Sequence, residues 1–255
     1  MTTDALPQEV YIGIMTGTSL DAIDLAACSF DALATSGAPG TGQVKLLGAH
    51  TTSWSAPLRA LLMEFASQEV VSLDELTRAN MAIAREYAEA THAMIAKLGL
   101  TRVRAIGMHG QTIRHLPQPD VLRGLDRPIA GTLQLGSGSA LAALTGIDVV
   151  SDFRSADVAI GGQGAPLVPI FDAAFLSSER SDRLLVNIGG ISNLTYLPKR
   201  TGAASDRAVV AFDCGPGNMM LDLIMQEFAD RPYDAGGAVA RGGRVHAALL
   251  EEMLA

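Results

Sequence analysis

The chain has 255 residues, 48% apolar and 18% charged, with 26 glycines and a formal net charge of -8. Such a chain can bury a substantial core as one large domain or two lobes, and its acidic balance argues against a non-specific nucleic-acid or anionic-membrane binder. A local phosphate site stays open, because backbone amides and helix N-termini bind anions whatever the net charge.

Residues 1–10 are polar and lack the basic start and apolar core of a secretory signal, and no run of 18 apolar residues suggests a membrane span. Cys28 and Cys214 have no CxxC spacing, which predicts reduced thiols and a cytoplasmic protein. "YIGIMTGTSLDAIDLAACSF" predicts a strand over Tyr11 to Met15, a Gly/Thr/Ser turn, and a return strand from near Asp21 to Phe30. A turn-rich stretch, 31–42, then leads to a third strand in "VKLLGAH", so the opening is antiparallel and unlike a dinucleotide fold, where a helix follows the first glycine turn.

"APLRALLMEFA" reads as a short helix, and Ser72 with Glu75 as a capping box. Leu76, Ala79, Ile83, Tyr87, Ala90, Met94 and Leu98 recur at helical spacing and predict one long helix, half-buried and ended by Gly99. "VRAIGMHG" predicts a strand running into a glycine turn; "GTLQLGSGSALAALTG" a strand, a turn and a small-residue helix; "IDVVSDF" a strand. Beyond it, "PLVPIFDAAFL" reads as a helix, "RLLVNIGGISNLTYLP" as a hairpin, and "AVVAFDCGPGNMMLDLIMQEFA" as a strand, an Asp213 turn and a helix with Leu221, Ile224 and Phe228 on one side. The last residues begin an amphipathic helix without a C-cap, as in a truncated fold.

Apolar strands repeatedly end in glycine-rich polar turns, a favourable setting for ligand contacts. Gly17, Thr18 and Ser19 can present amides and hydroxyls to phosphate, although no GxxxxGK[ST] motif is present. Asp21 and Asp24 can hold magnesium or its waters beside ATP, or cap the turn. Asp213 can play the matching part from a second hairpin, since residues 185–193 repeat the strand, glycine and hydroxyl pattern of 12–19. Asn218 reads equally as a nucleotide contact or a helix cap, and Cys214 is a poor nucleophile with no histidine nearby in sequence.

"GMHGQTIRHLP" groups His109, Gln111, Thr112 and His115, with 109, 111 and 115 on one face if the stretch is extended. Sugar contact and structural hydrogen bonding both fit it, whereas the spacing is poor for zinc. In "DFRSADVAIGGQGAPLVP", an extended strand end would point Asp152 and Arg154 the same way, as a structural ion pair or with Asp152 as a base and Arg154 toward substrate. Asp157 is a further polar contact or a cap, and Gln163 offers an amide.

These stretches, with "GIMTGTSLDAID", "TLQLGSGSALA", "NIGGISNLT", "FDCGPGNMMLD" and "DAGGAVARGG", closely resemble those of the anhydro-N-acetylmuramic acid kinase family, in order, from about residue 12 to 243. The resemblance implies an α/β, actin-like ATPase (ribonuclease H-like) fold of two lobes around a cleft, C-terminally incomplete here, with lobes expected at 1–135 and 136–255. It implies ATP and Mg2+ as cofactors, opening of the 1,6-anhydro ring with phosphorylation of O6, a place in peptidoglycan recycling, and a cytoplasmic homodimer binding neither nucleic acid nor membrane. By matching position it implies Asp152 as the base. Gly17, Thr18, Ser19, Leu20, Asp21, Ala22, Ile23, Asp24, Asn187, Gly189, Gly190, Asp213, Gly215, Gly217 and Asn218 would form the nucleotide site, with Asp21 and Asp213 near the metal. His109, Gln111, Thr112, Arg154, Asp157 and Gln163 would lie at the sugar. This chain has Asp21-Ala22 where the family has DG, and family members continue past its end. A related kinase with another acceptor, or a non-catalytic nucleotide-binding module, are the competing expectations.

Overall fold

The structure is a computed structural model describing residues 9–30, 44–200 and 208–254. The predicted turn-rich stretch 31–42 and most of the polar start lie outside the described residues. The chain divides into two compact units, Met1–Leu176 and Ser177–Ala255, and the fold is mixed α/β, with three separate sheets among the described residues.

The first unit is built on a five-stranded sheet in the order β3-β2-β1-β4-β7. Strands β1 (Val10–Met15), β2 (Ile23–Phe30) and β3 (Val44–Thr52) pair antiparallel, and β4 (Ala105–Met108) and β7 (Val149–Ser151) extend the sheet in parallel from β1. Alternation fixes the faces: Ile12 and Ile14 point into the core, as do Ile23, Leu25 and Ala27 on the neighbouring strand. Helices α1 (Ala56–Ser67) and α2 (Leu73–Leu98) cover that face with Leu58, Leu62, Phe65, Ile83, Tyr87 and Met94. Each such side chain, fully buried, contributes about 1.5–3 kcal/mol of transfer free energy. The ends of β1 and β4 are thereby anchored to a rigid core.

The bounds of α2 follow from local chemistry. Ser72 Oγ accepts from Glu75 N at 3.4 Å, Asp74 and Glu75 occupy the first turn, Lys97 the last, and Gly99 closes the helix at φ 63°. A two-stranded sheet of β5 (Gln111–Val121) and β6 (Pro128–Leu135), with α3 (Gly138–Thr145), α4 (Ser155–Ala159) and α5 (Val168–Phe175), completes the unit.

The second unit is a three-stranded antiparallel sheet in the order β10-β9-β8, from β8 (Arg183–Ile188), β9 (Ile191–Leu197) and β10 (Val210–Pro216). It continues through α6 (Asn218–Ala229), a 3-10 turn Ala235–Gly237, α7 (Ala238–Gly242) and α8 (Ala247–Leu254). Thr195, Leu197 and Met225 are buried, whereas Leu221, Ile224 and Phe228 of the predicted α6 stripe are exposed.

Three local expectations are corrected. His109 does not share a strand face with Gln111 and His115: Gly110, at φ 79°, turns the chain between β4 and β5, and the β5–β6 register shifts again between Thr112 and Arg114. The strand before Asp152 stops at Ser151; Asp152 is left-handed at φ 59°, and the chain is helical from Ser155. Asp213 sits inside β10 beside a bulge rather than in a turn.

Candidate functional site

The parallel strands β4 and β7 end side by side, so the residues following them emerge at the same edge of the sheet. These are His109 and Asp152. Both line a cavity of about 270 Å³ whose remaining wall includes Thr132 and Gln134 of β6, Ser137 before α3, and Ser151. The cavity lies wholly within the first unit.

Asp152 combines a strained backbone with an oriented carboxylate. A non-glycine residue in the left-handed region costs about 1–3 kcal/mol, least for Asp and Asn, and persists where its surroundings enforce it. Asp152 Oδ1 accepts from Ser155 N at 3.3 Å, while Oδ2 takes no hydrogen bond from a described residue. One oxygen is anchored and the other is available to a hydroxyl or water.

His109 is held at both ring nitrogens. Nδ1 lies 2.7 Å from Gly110 O, and Nε2 lies 2.9 Å from Arg154 Nε. Because the guanidinium N–H only donates, Nε2 is the acceptor and the proton resides on Nδ1, which donates to Gly110 O. Burial lowers the His109 pKa, the Gly110 hydrogen bond opposes that, and the Arg154 charge adds to the lowering.

Arg154 donates through Nη1 to Gly164 O at 2.6 Å, and Asp157 Oδ2 accepts from Gly164 N at 2.7 Å. The two side chains fasten the glycine-rich turn to α4, with Gln163 exposed on it. Among the described residues Asp152 and Arg154 form no ion pair, so the structural-pair reading of those two is set aside.

Gln111 is 1% exposed, and its Nε2 donates to Gly17 O at 3.2 Å and Thr112 O at 3.3 Å. It ties the first glycine turn to the start of β5. Thr16, also buried, donates to Gly110 O at 3.3 Å and lies 2.9 Å from the Tyr87 hydroxyl, which therefore donates to it. Thr112 Oγ1 meets Gln134 Nε2 at 3.5 Å, and Gln134 Nε2 also donates to Thr132 Oγ1 at 2.8 Å. The sequence reading missed Thr132, Gln134, Ser137, Ser151, Ser155 and Asn80 as cavity residues. The two-residue spacing of Thr132 and Gln134 puts them on one strand face and was the available signal. Asn80, on α2, accepts from Gly136 N at 2.7 Å and had no such signal.

The first turn places Gly17, Thr18, Ser19 and Asp21 at the surface. It is closed by Leu20 N donating to Gly17 O at 3.2 Å and pinned by the buried Leu20 and Ile23, with Arg59 Nε on Leu20 O at 2.9 Å. Ala22 is absent from the positive-φ residues, so alanine suits this position. Asp24 accepts from Thr51 Oγ1 at 2.7 Å across the sheet, whereas Asp21 takes no hydrogen bond from a described residue.

In the second unit the β8–β9 turn is joined to the start of α6. Gly217 N and Asn218 N donate to Gly190 O and Gly189 O, each at 2.8 Å, and Met219 N reaches Gly190 O at 3.2 Å. Those amides are committed to carbonyls. Asn218 is the first residue of α6 and makes no side-chain cap, which removes the capping alternative; Asn187, Asp213 and Asn218 are exposed.

Among the described residues no group of three or more His, Cys, Asp or Glu could hold a metal ion, and no helix is long and apolar enough to cross a membrane. A three-ligand cage is not what Mg2+ at a nucleotide requires, since one or two carboxylates, waters and phosphate oxygens suffice. The exposed Asp21 carboxylate beside the Gly17–Ser19 turn fits that pattern.

A family model described as anhydro-N-acetylmuramic acid kinase matches residues 9–255. The chain is 44% identical over 258 residues to a protein of that name from Cupriavidus metallidurans, covering 98% of this chain and 62% of the relative. It is 41% identical over 249 residues to one from Xanthomonas campestris pv. campestris, covering 96% of this chain and 61% of the relative. A third, from Shewanella loihica, is 36% identical over 251 residues. The chain thus spans about three fifths of the length of the curated relatives it matches.

Proposed function

Since the chain belongs to the anhydro-N-acetylmuramic acid kinase family, we propose that it serves ATP-dependent opening and phosphorylation of a 1,6-anhydro amino sugar, yielding N-acetylmuramic acid 6-phosphate and ADP. The observation that carries this reading is Asp152, held in a left-handed turn at a polar cavity with one carboxylate oxygen anchored and the other available. Asp152 Oδ2 takes a proton from water, and the water oxygen attacks C1. The C1–O6 bond breaks, and O6 accepts the γ-phosphoryl group as ADP leaves. Water supplies the new C1 oxygen, so atoms and charge balance in one coupled step.

The Gly17–Ser19 turn offers amides and hydroxyls for phosphate, and the Asp21 carboxylate beside it would hold Mg2+. Mg2+ bound there would neutralise charge on the phosphate oxygens. On the second unit, Asn187, Gly189, Gly190, Asp213, Gly215, Gly217 and Asn218 belong to the proposed nucleotide site, where Asp213 would offer its carboxylate to a water of Mg2+. Thr112 and Gln163 belong to the proposed sugar side. The actin-like, two-lobed fold is part of this reading, and an antiparallel β1–β2–β3 opening followed by parallel strands supports it. The reading also keeps the cytoplasmic location and the homodimer.

The test is product identification by mass spectrometry after incubating the chain with ATP, Mg2+ and anhydro-N-acetylmuramic acid in ¹⁸O-labelled water. The expected product carries ¹⁸O at C1 and phosphate on O6. ADP without that sugar product would point to another acceptor, and nucleotide binding without turnover to a non-catalytic module. Asp152→Asn is expected to lower turnover by at least about a hundredfold, the lower range for general-base catalysis, with nucleotide affinity retained. Full activity in that variant would remove Asp152 as the base.

A further inference from the structure

Two residues that resemblance puts at the sugar are hydrogen-bonded to each other. Both ring nitrogens of His109 are committed, Nδ1–H to Gly110 O and Nε2 to Arg154 Nε. Arg154 in turn reaches Gly164 O, whose amide is held by Asp157. Asp152 stands two residues before Arg154, in a left-handed conformation, and lines the same cavity as His109. The link therefore runs from the end of β4 through Arg154 to the glycine-rich turn, and it brackets the backbone that carries Asp152.

We propose that His109 and Arg154 form a proton-sensitive brace that positions Asp152, intact when His109 is neutral and released when His109 takes a proton. The proposal rests on the reading of Asp152 as the base and adds to it a pair of positioning residues and a regulation by pH. The neutral imidazole presents a lone pair at Nε2, which is what the guanidinium N–H requires. A proton on Nε2 replaces that lone pair with a second N–H donor and sets two cations against each other, so the contact cannot persist.

The charged and titratable surroundings are consistent with this. Arg154, at the start of α4, is the partner; Asp157 of α4 has one oxygen on Gly164 N; Asp152 lies at the end of β7; His115 of β5 bonds Thr132. The cavity walls from α2, β6 and the start of α3 present uncharged Asn80, Thr132, Gln134 and Ser137. Neither aspartate accepts a hydrogen bond from His109. The burial that already disfavours the imidazolium places release on the acid side of the ordinary imidazole value of 6.5.

Long-range ¹H–¹⁵N NMR of the 255-residue chain reads the brace without any need for turnover. Above its midpoint His109 is expected as the Nδ1–H tautomer, and the Asp152 and Gly164 amide resonances are expected to shift with the His109 midpoint. Arg154→Met should raise that midpoint. In His109→Gln, whose amide oxygen can replace Nε2 as acceptor, the Asp152 shift should vanish. An Nε2–H tautomer, a midpoint indifferent to Arg154→Met, or an Asp152 amide silent through the titration would each overturn the proposal.

Turnover supplies the second arm. Wild type should lose activity as pH falls through the same midpoint, and His109→Gln should lose that acid limb. His109→Ala, with no acceptor, should lower kcat by about a hundredfold, the scale for a misplaced catalytic group, with a smaller change in KM for ATP. An acid limb that survives in His109→Gln would count against the brace. Absence of sugar phosphorylation alongside the full NMR pattern would overturn the kinase reading while supporting the brace.

Discussion

His109 shows how one side chain's role is set by its partners. Its position before a glycine turn suits a sugar contact, yet Gly110 O and Arg154 Nε occupy both nitrogens. The same environment gives a stability prediction. In the folded chain His109 holds its proton less tightly than the ordinary 6.5, so at acid pH the unfolded state binds more protons than the folded one. Its contribution is complete above 6.5 and is lost as pH falls through the lower, folded value. Urea unfolding should therefore show wild type losing stability relative to the non-titrating His109→Gln as pH falls below 6.5, with a constant difference between the two above it. Gly110 supplies a second residue-scale prediction, because its φ is 79° and an added Cβ would lie 2.8 Å from Leu135 O. Gly110→Ala is expected to cost about 1–3 kcal/mol by denaturant unfolding, from backbone strain and crowding. At Gly190 no atom lies within 4 Å of the added Cβ, and the same change should be nearly silent.

Among the elements, α2 is where sequence and structure agree most fully. Its apolar stripe, Ser72 cap and Gly99 stop all favour the same helix; Ala79, Ile83, Tyr87, Ala90 and Met94 of the stripe are buried, Leu76 and Leu98 are partly so, and Ala84, Ala88 and Thr91 join them. Ser72→Ala should lower stability by about 1 kcal/mol, the typical value of an N-cap, with no change in ligand binding. The β5–β6 hairpin was less legible. Its first residue, Gln111, is turned inward to Gly17 O, while the cavity wall is made by Thr132 and Gln134 on the partner strand. A strand's alternation tells which residues share a face; which face meets a cavity depends on the register, and here the register shifts twice. The stretch after β7 misled for a related reason. A single left-handed residue, Asp152, reverses the chain where two-residue periodicity predicts continued extension.

The whole chain is unevenly consolidated. The first unit encloses a continuous apolar core, whereas the second buries few side chains and leaves Leu184, Val186, Ile188, Phe212, Ile224 and Phe228 exposed. Local stability follows buried apolar contact. Native-state hydrogen exchange should accordingly show β1, β4 and the middle of α2 as the most protected amides, with β8 and β10 exchanging through lower-energy openings. Uniform protection across both units would contradict this.

The sequence by itself determined the family, through motifs in order along most of the chain, and with it the expected chemistry. It also determined most elements, because caps, glycine stops and apolar periodicity are local properties that a linear chain carries. Tertiary structure decided which polar side chains face the cavity and which are committed to one another. Gln111 was drawn onto Gly17, Arg154 onto His109 and Gly164, and Thr132 and Gln134 into the wall. Those outcomes depend on hydrogen-bond partners distant in sequence, brought within reach only when strands pair and turns close.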